Sequence, residues 1–563
     1  MKNIVLILLS VFSLTVAAQT KAPKWMHKLR NASFSIVTYD KEGNILKNGN
    51  GFFITKEGTA LADFSLFKDA VRASVITYKG DAFPVEEIMG GSSIYDVIKF
   101  KVATKKKNDF IPLATQTPAV GSTVYLMPYT TYKGKTVITG KVTDLTEIPT
   151  KKSYFTLALP YNEKNVSCAL LNENGEAVAL LQRDSSGGEK SFAIGTDYAA
   201  SLSIRAISSN NSALEQLAFK KSLPNEEEEA LIYLYMQAGK ETPQEQLTLI
   251  EQFIHQFPES SEGYLRRASQ FVHFYRDNNH FDQAADDLDR ALKLSKKKEN
   301  VHYNFAQLIM VNSQLTPAFN YKGWTLDKAL EENSAALAID SLPVYQQQRA
   351  EIYVNLKNYP EAYRWYEKVN ASSLGSAEIS YKLVQLKEIM GGSQDEILAL
   401  LDSTIQRLPN PVPSSKAIYL IKRAEKRVEK KLFREAVKDY NTYYDAMNGN
   451  VNHLFYYFRS QAEINSRLNQ QALNDLEKAI EMAPKETSYL LEYGVLNLRF
   501  GRYDIALGTF EKALKIDPQL IACYRLMGLC HLQKKDKVKA IQLFETAVKK
   551  GDKEAEPLLK KYK

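Results

Sequence analysis

The chain has 563 residues, of which 44% are hydrophobic and 25% charged, and a formal net charge of +8. At roughly 150 residues per domain this is too long for a single core, and the composition is that of a folded chain rather than a disordered one. The basic residues form no long block, which argues against a nucleic-acid partner.

Met1-Lys2-Asn3 gives a positive start, residues 4–16 form an apolar run, and Val16-Ala17-Ala18 places small residues ahead of Gln19. That order is a secretory signal with cleavage expected after Ala18. The run is too short to span a bilayer comfortably. No cysteine follows the cleavage point to take a lipid, and no later segment is apolar enough to form a transmembrane segment. The sequence thus predicts an exported protein of bacterial character, periplasmic or extracellular once residues 1–18 are removed.

From about residue 32 to 204 the pattern is β. SFSIVTY, GFFIT, ASVITY, DVIKFKV, TVYLMPY, TVITGKVTDL, YFTLALP, EAVALLQ and KSFAIG alternate apolar and polar residues, with turns KEGN, KEGT, NENG and SSGG among them. Many short strands at this spacing predict a barrel or sandwich. AISSNNS then reads as the start of a linker over 206–225. The acidic run in SLPNEEEEALIYLY reads as a helix start with Asn225 as N-cap, since the positive end of the helix dipole favours carboxylates there.

Beyond that point the signal is helical and repeats. Gly494 and Gly528 are 34 residues apart, as are Ala506 and Ala540, Phe510 and Phe544, Ala513 and Ala547, and Pro484 and Pro518. Ser460 and Ala472, Ala424 and Ala436, and Ala350 and Ala362 keep the 12-residue spacing between the small residues of paired helices. Small side chains are needed where two helices cross closely, the aromatic fills the gap to the next repeat, and proline stops the second helix. FDQAADDLDRAL (281–292) and LDKALEENSAALAID (326–340) read as second helices whose partners begin near Tyr264 and His302, while 376–409 is helical without the small-residue pattern. About eight helix pairs are predicted, closed by a polar capping helix in DKEAEPLLKKYK.

The 34-residue period, with its order of small residues, aromatic and proline, resembles the tetratricopeptide repeat. The β region resembles the trypsin-like (chymotrypsin-fold) serine proteases, especially the exported bacterial branch. Within it, NGNGFFITKEGTALADFSLFKDA is similar to the glycine-rich strand and histidine turn, and IYDVIKFKV to the aspartate strand. YNEKNVSCALLNENGEAVAL is similar to the nucleophile loop. The expected fold class is therefore multidomain β plus α. A trypsin-like double β-barrel (22–205) is followed by the linker (206–225) and a tetratricopeptide solenoid with a C-terminal capping helix (226–563).

Carried over residue by residue, the family histidine falls on Ser65, the aspartate on Asp96 and the nucleophile on Val166. Valine has no attacking atom. No histidine occurs between His27 and His255, so no base is available to the loop. Lys164, Ser167 and Cys168 replace the glycines that shape the oxyanion hole, which predicts a loop that no longer presents it. The rival reading makes Ser167 or Cys168 a displaced nucleophile in a serine-type peptidase with a non-standard centre. Cys168 otherwise reads as a small buried hydrophobe. Cys523 and Cys530 lie on one helix face, too far apart for a disulfide. His273 and His280 are close in sequence, yet NNHFD reads as a turn, so no metal is expected there. No phosphate loop, zinc motif or nucleotide fingerprint occurs, so no cofactor is expected.

The tetratricopeptide resemblance implies a groove that holds a protein or peptide partner. The position after each small anchor is Glu425, Gln461, Val495 and Leu529, and Tyr457, Leu491, Arg499 and Arg525 are also expected to face the groove. The asparagine and basic residues of a carboxylate clamp are missing, which excludes that partner class. The groove residues are apolar enough to take an amphipathic helix or extended peptide, unless the capping helix fills the apolar end. The expected function is that of an exported interaction scaffold or adaptor with an inactive barrel domain. The further alternative is a structural component of a cell-envelope or secretion assembly.

Overall fold

The computed structural model describes residues 19–104, 106–129, 136–148, 152–184, 188, 190–208, 211–315 and 317–563. The expected signal segment 1–18 and residues 185–187 of the SSGG turn lie outside the described residues. The chain forms two compact units, one ending at Ser295 and one covering Lys296–Lys563.

The first unit holds strands β1 (Gln19–Lys21), β2 (Ser33–Tyr39), β3 (Ile45–Phe53), β4 (Thr59–Ala62), β5 (Arg72–Thr77), β6 (Ala82–Ser92) and β7 (Val97–Val102). They are followed by β8 (Thr123–Met127), β9 (Thr136–Ile148), β10 (Lys152–Ala158), β11 (Ala169–Leu171), β12 (Ala177–Leu181) and β13 (Ser191–Gly195). The first barrel runs β2-β3-β4-β7-β6-β5 and closes by β5 on β2. The second runs β8-β9-β10-β13-β12-β11 and closes by β11 on β8, with β1 added along β9. Both are antiparallel and six-stranded, and each joins its strands in the same relative order. This is the double barrel of the trypsin-like fold. Sequence patterning missed the short strands β1, β4 and β11 and the bulged β6, whose register shifts at Val85/Glu87 and Ile88/Gly90 break its alternation.

The alternation explains what each barrel buries. SFSIVTY turns Phe34 and Ile36 into the first barrel, where they meet Phe53, Phe67 and Phe100. KSYFTLA turns Phe155 and Leu157 into the second. A third apolar cluster joins the barrels: Phe52, Leu61 and Val97 from the first pack with Met127, Val137, Leu171 and Ile194 from the second. Each such fully buried side chain contributes about 1.5–3 kcal/mol, so the seam between the barrels is a core in its own right.

The expected linker differs from the structure. Leu214, Leu217 and Phe219 are buried in the first barrel's core, and Ile88 exchanges backbone hydrogen bonds of 2.8 Å with Lys220 and Ser222. Its apolar residues therefore hold it against the barrel rather than leaving it free. The helix that follows, Glu227–Gln237, takes Glu226 rather than Asn225 as its N-cap residue. NNHFD is not a turn: it opens the helix Asn278–Leu294, and the Asp277 side chain caps it by accepting from His280 N.

Among the described residues eight helical hairpins follow. Ser261–Phe274 with Asn278–Leu294 lies in the first unit. Seven lie in the second, from Lys298–Gln314 with Leu326–Ile339 to Ile521–Gln533 with Lys537–Lys549. Segment 376–409 forms a hairpin from Ala377–Ile389 and Gln394–Gln406, with Leu383, Val384, Ile397 and Leu401 buried in place of small residues. The helix Ala555–Tyr562 packs on Lys537–Lys549. The period-setting glycines mark the closest crossings. A Cβ on Gly494 would lie 2.5 Å from the Phe510 ring, and one on Gly528 2.5 Å from Phe544. Phe510 therefore rests on the glycine of its own hairpin, and it shares a core cluster with Cys523 and Cys530 of the next helix.

The substitution Gly494→Val is expected to cost about 1–3 kcal/mol through overpacking, and Phe510→Ala about 3–5 kcal/mol through the cavity left behind. Urea unfolding of the full chain, followed by helical circular dichroism, measures both.

Candidate functional site

At the seam of the barrels the structure brings the three positions matched to the triad into one neighbourhood. Ser65 sits in the turn after β4, and Asp96 immediately before β7. The Asp96 carboxylate accepts from Ser65 N at 2.6 Å and from Ser65 Oγ at 3.0 Å. The serine thus holds the retained aspartate where the family histidine would. Asp96 has φ of 41°, a strained value for a residue with a side chain.

Val166 closes a short 3-10 turn, Glu163–Asn165, and is buried. In a working protease the backbone N–H groups of the nucleophile and of the residue two before it point at the oxyanion. Here those residues are Val166 and Lys164. Lys164 N donates to Asn162 Oδ1 at 3.0 Å, and Val166 N donates to Glu163 O at 3.2 Å. Both donors are taken up within the turn itself. Asn50 on β3 clamps the loop from the other barrel, its amide donating to Lys164 O at 2.9 Å and Val166 O at 2.8 Å. Arg183 and Glu163 pair across the loop at 2.9 Å. Sequence reasoning missed Asn50 and Asn162, because an asparagine in a loop gives no pattern that names its acceptor.

Ser167 keeps the glycine-like backbone after all: its φ is +64° and its N–H donates to Leu181 O at 2.8 Å. Its side chain is fully buried. Cys168 is equally buried, and burial pushes its thiol up to about 12, far from a thiolate. Beside them lies Asp63, 2% exposed. Asp63 Oδ1 and Ser167 Oγ are buried without a hydrogen-bond partner in good geometry. Burial, with the neighbouring Asp96 charge, raises the Asp63 carboxyl from 3.8 to about 7, against smaller opposing effects of the Ser167 hydroxyl and Arg183. The only sequence sign of Asp63 was a lone acid inside the apolar run ALADFSLF.

The expected groove residues lie on four consecutive first helices, Glu425 on Ile418–Glu429 and the others on the next three. Tyr457 and Gln461 are on His453–Asn465, Leu491, Val495 and Arg499 on Thr487–Arg499, and Arg525 and Leu529 on Ile521–Gln533. Tyr457 packs on Tyr489 at 4.7 Å between ring centroids. Gln461 is half-buried and its Nε2 has no partner. Leu491 and Val495 are half-buried against the Phe510 cluster, Leu529 is half-buried and Arg499 is exposed. Arg525 is already engaged by the C-terminal turn, at 2.8 Å from Asp552 and 2.5 Å from Glu554. Glu463, buried on the first of these helices, is pushed up to about 8 by burial and by Asp475, with Arg459 opposing.

His280 Nδ1 is 2.6 Å from Asp277 Oδ2, whereas His273 Nδ1 lies 2.8 Å from Ser269 O, so the two histidines serve separate local bonds. Among the described residues no group of three or more His, Cys, Asp or Glu is placed to hold a metal ion. Nor is any helix among them long and apolar enough to cross a membrane.

Residues 459–521 match the family model described as tetratricopeptide repeat. They run from the middle of the helix His453–Asn465 through its partner Asn469–Met482 and the whole of the next hairpin to the first residue of Ile521–Gln533, within a run of hairpins of the same form. Such repeats point to a role in protein–protein interaction. No curated protein matches the chain.

The raised Asp63 carboxyl is expected to make the stability of the barrels depend on pH. The folded state holds a proton that the unfolded state releases near 3.8, so the contribution of this group to stability is fully present at low pH. It falls as pH rises towards about 7 and levels off above. The expected loss is on the order of 2–4 kcal/mol, and Asp63→Asn flattens it. Hydrogen exchange of the barrel strands in the full chain, from acid to neutral pH, reads the effect. A slope unchanged in the asparagine variant contradicts it.

Proposed function

We propose that the chain is an exported adaptor whose barrel domain has lost peptidase chemistry and whose repeats hold a protein or peptide partner. The observation that carries the barrel half of this reading is the state of the loop around Val166. Val166 offers no attacking atom, the two N–H donors are engaged within the turn, and no histidine occurs between His27 and His255 to serve as the family's base. Loss of one oxyanion donor alone costs about 10²–10³ in rate. Burial of Ser167 and of the protonated Cys168 thiol weighs against the peptidase alternative, because a substrate carbonyl has no path to either atom. The partner half rests on the tetratricopeptide match and on half-buried aromatic and aliphatic positions, among them Tyr457, Leu491, Val495 and Leu529, that suit an amphipathic helix or extended peptide. Arg525 is removed from that docking set by its pairing with the C-terminal turn.

A fluorophosphonate and a thiol-reactive probe are expected to leave Ser167 and Cys168 unlabelled in the native chain and to reach Cys168 only on denaturation. The paired substitutions Ser65→His and Val166→Ser are expected to leave casein uncut, because the loop still lacks free donors. Native labelling at Ser167, or hydrolysis by the wild-type chain that a change in the barrels abolishes, sinks the inactive reading.

Export is tested separately. We expect the chain recovered from outside the cytoplasm to begin at Gln19 on N-terminal sequencing, and deletion of residues 2–18 to retain it in the cytoplasm.

A further inference from the structure

The two edges of the last four hairpins differ in charge. The turns within hairpins, residues 429–435, 465–471, 499–505 and 533–539, contain ten Lys and Arg against four Asp and Glu. The loops between those hairpins, residues 446–452, 482–488 and 516–522, contain one against two. Some of the cations are paired, Lys430 with Asp395, Lys534 with Asp504 and Lys539 with Asp536. Lys431, Arg434, Arg467, Arg499, Lys535 and Lys537 are exposed and form no ion pair among the described residues. Three of the turns place a cation where the chain needs a left-handed residue: Lys431 at φ 60°, Arg467 at 63° and Lys535 at 64°. Gly501 fills the same place in the fourth, at 74°. Glycine is the residue that suits such a helix end, so the local conformation does not explain the lysines and arginine.

Neighbouring turns lie side by side. Between the first two is a cavity of about 410 Å³ lined by Lys431, Arg434, Glu435 and Arg467 among others. Arg502 reaches Gln470 at 3.3 Å, tying the third turn to the second. Large apolar side chains stand out of the same edge: Leu432 is 37% exposed, Phe500 46% and Val538 69%. Each directly adjoins a cation in the chain.

Cations alone suit any polyanion. Cations interleaved with protruding aliphatic and aromatic side chains suit a surface that is anionic outside and apolar just beneath, where the charges sit at the headgroups and the apolar groups enter the acyl boundary. We propose that this edge docks on a membrane leaflet rich in anionic phospholipid, with the cavity among Lys431, Arg434 and Arg467 taking a headgroup phosphate. Leu432, Phe500 and Val538 then enter the interface. A nucleic-acid duplex, with its phosphates outermost and its bases stacked inside, gives the aliphatic Leu432 and Val538 nothing to enter, so the lipid surface is the occupant this edge fits.

The test is flotation of the full chain, with residues 1–18 removed, on phosphatidylcholine vesicles with and without phosphatidylglycerol. Binding is expected only with the anionic lipid and is weakened when salt is raised to about 0.5 M. Combined charge reversal at Lys431, Arg434 and Arg467 is expected to lower the partition coefficient at least about tenfold. So is reversal at Lys535 and Lys537 on a separate turn, which keeps the test sound if the triple variant misfolds. Phe500→Asp with Val538→Asp lowers the binding that survives high salt. Three results overturn the proposal: equal binding to neutral vesicles, unchanged binding by both charge variants, and tighter binding to a short DNA duplex or to polyglutamate than to the anionic vesicles at matched salt.

Discussion

Two backbone N–H groups govern the reading of the barrels. Those of Lys164 and Val166 are satisfied within their own turn, by Asn162 Oδ1 and Glu163 O. Each of these donors already has an acceptor within the turn, so the turn is closed on itself. Asn50 adds to this from the opposite barrel by fixing the two carbonyls of the same turn. The surrounding polar groups follow from that arrangement. Ser65 takes up Asp96, Ser167 is enclosed, and Asp63 is left in an apolar setting that favours its neutral form.

The seam that holds these groups is also a joint. Phe52, Leu61 and Val97 of the first barrel meet Met127, Leu171 and Ile194 of the second, so the two barrels are coupled through a shared apolar core. Coupling of this kind suits a module that presents a surface. The segment after the barrels contributes too, since Leu214, Leu217 and Phe219 complete the first barrel's core.

In the helical repeats a different constraint rules. Helices that cross at a glycine allow an aromatic ring to sit on the backbone, as Phe510 does on Gly494 and Phe544 on Gly528. The partner positions inside the hairpins change character along the chain. Arg423 with Asp439 and Arg459 with Asp475 are bidentate buried pairs. The matching positions one and two repeats later hold Tyr493 with Thr509 and then Met527 with Leu543. Removing one partner of such a pair leaves an uncompensated buried charge. The two earlier hairpins thus depend on a matched charge pair at a place where the last two carry uncharged side chains.

Local pattern settled much of this molecule. Alternation in SFSIVTY or YFTLALP specifies strands, because a strand buried on one face must place apolar residues at every second position. The 34-residue spacing of glycine, alanine, phenylalanine and proline specifies hairpins, because only small residues permit the crossing. The absence of histidine between His27 and His255 is a fact of the sequence alone. Tertiary structure decided what depends on partners distant in the chain. Asn50 meets Lys164 and Val166 across more than a hundred residues, Arg525 is taken by Asp552 and Glu554 rather than left facing a groove, and the presumed linker is drawn into a barrel core. Periodicity reports which way a side chain points from its own element. Which group waits there is set by how the elements pack, and no local pattern encodes it.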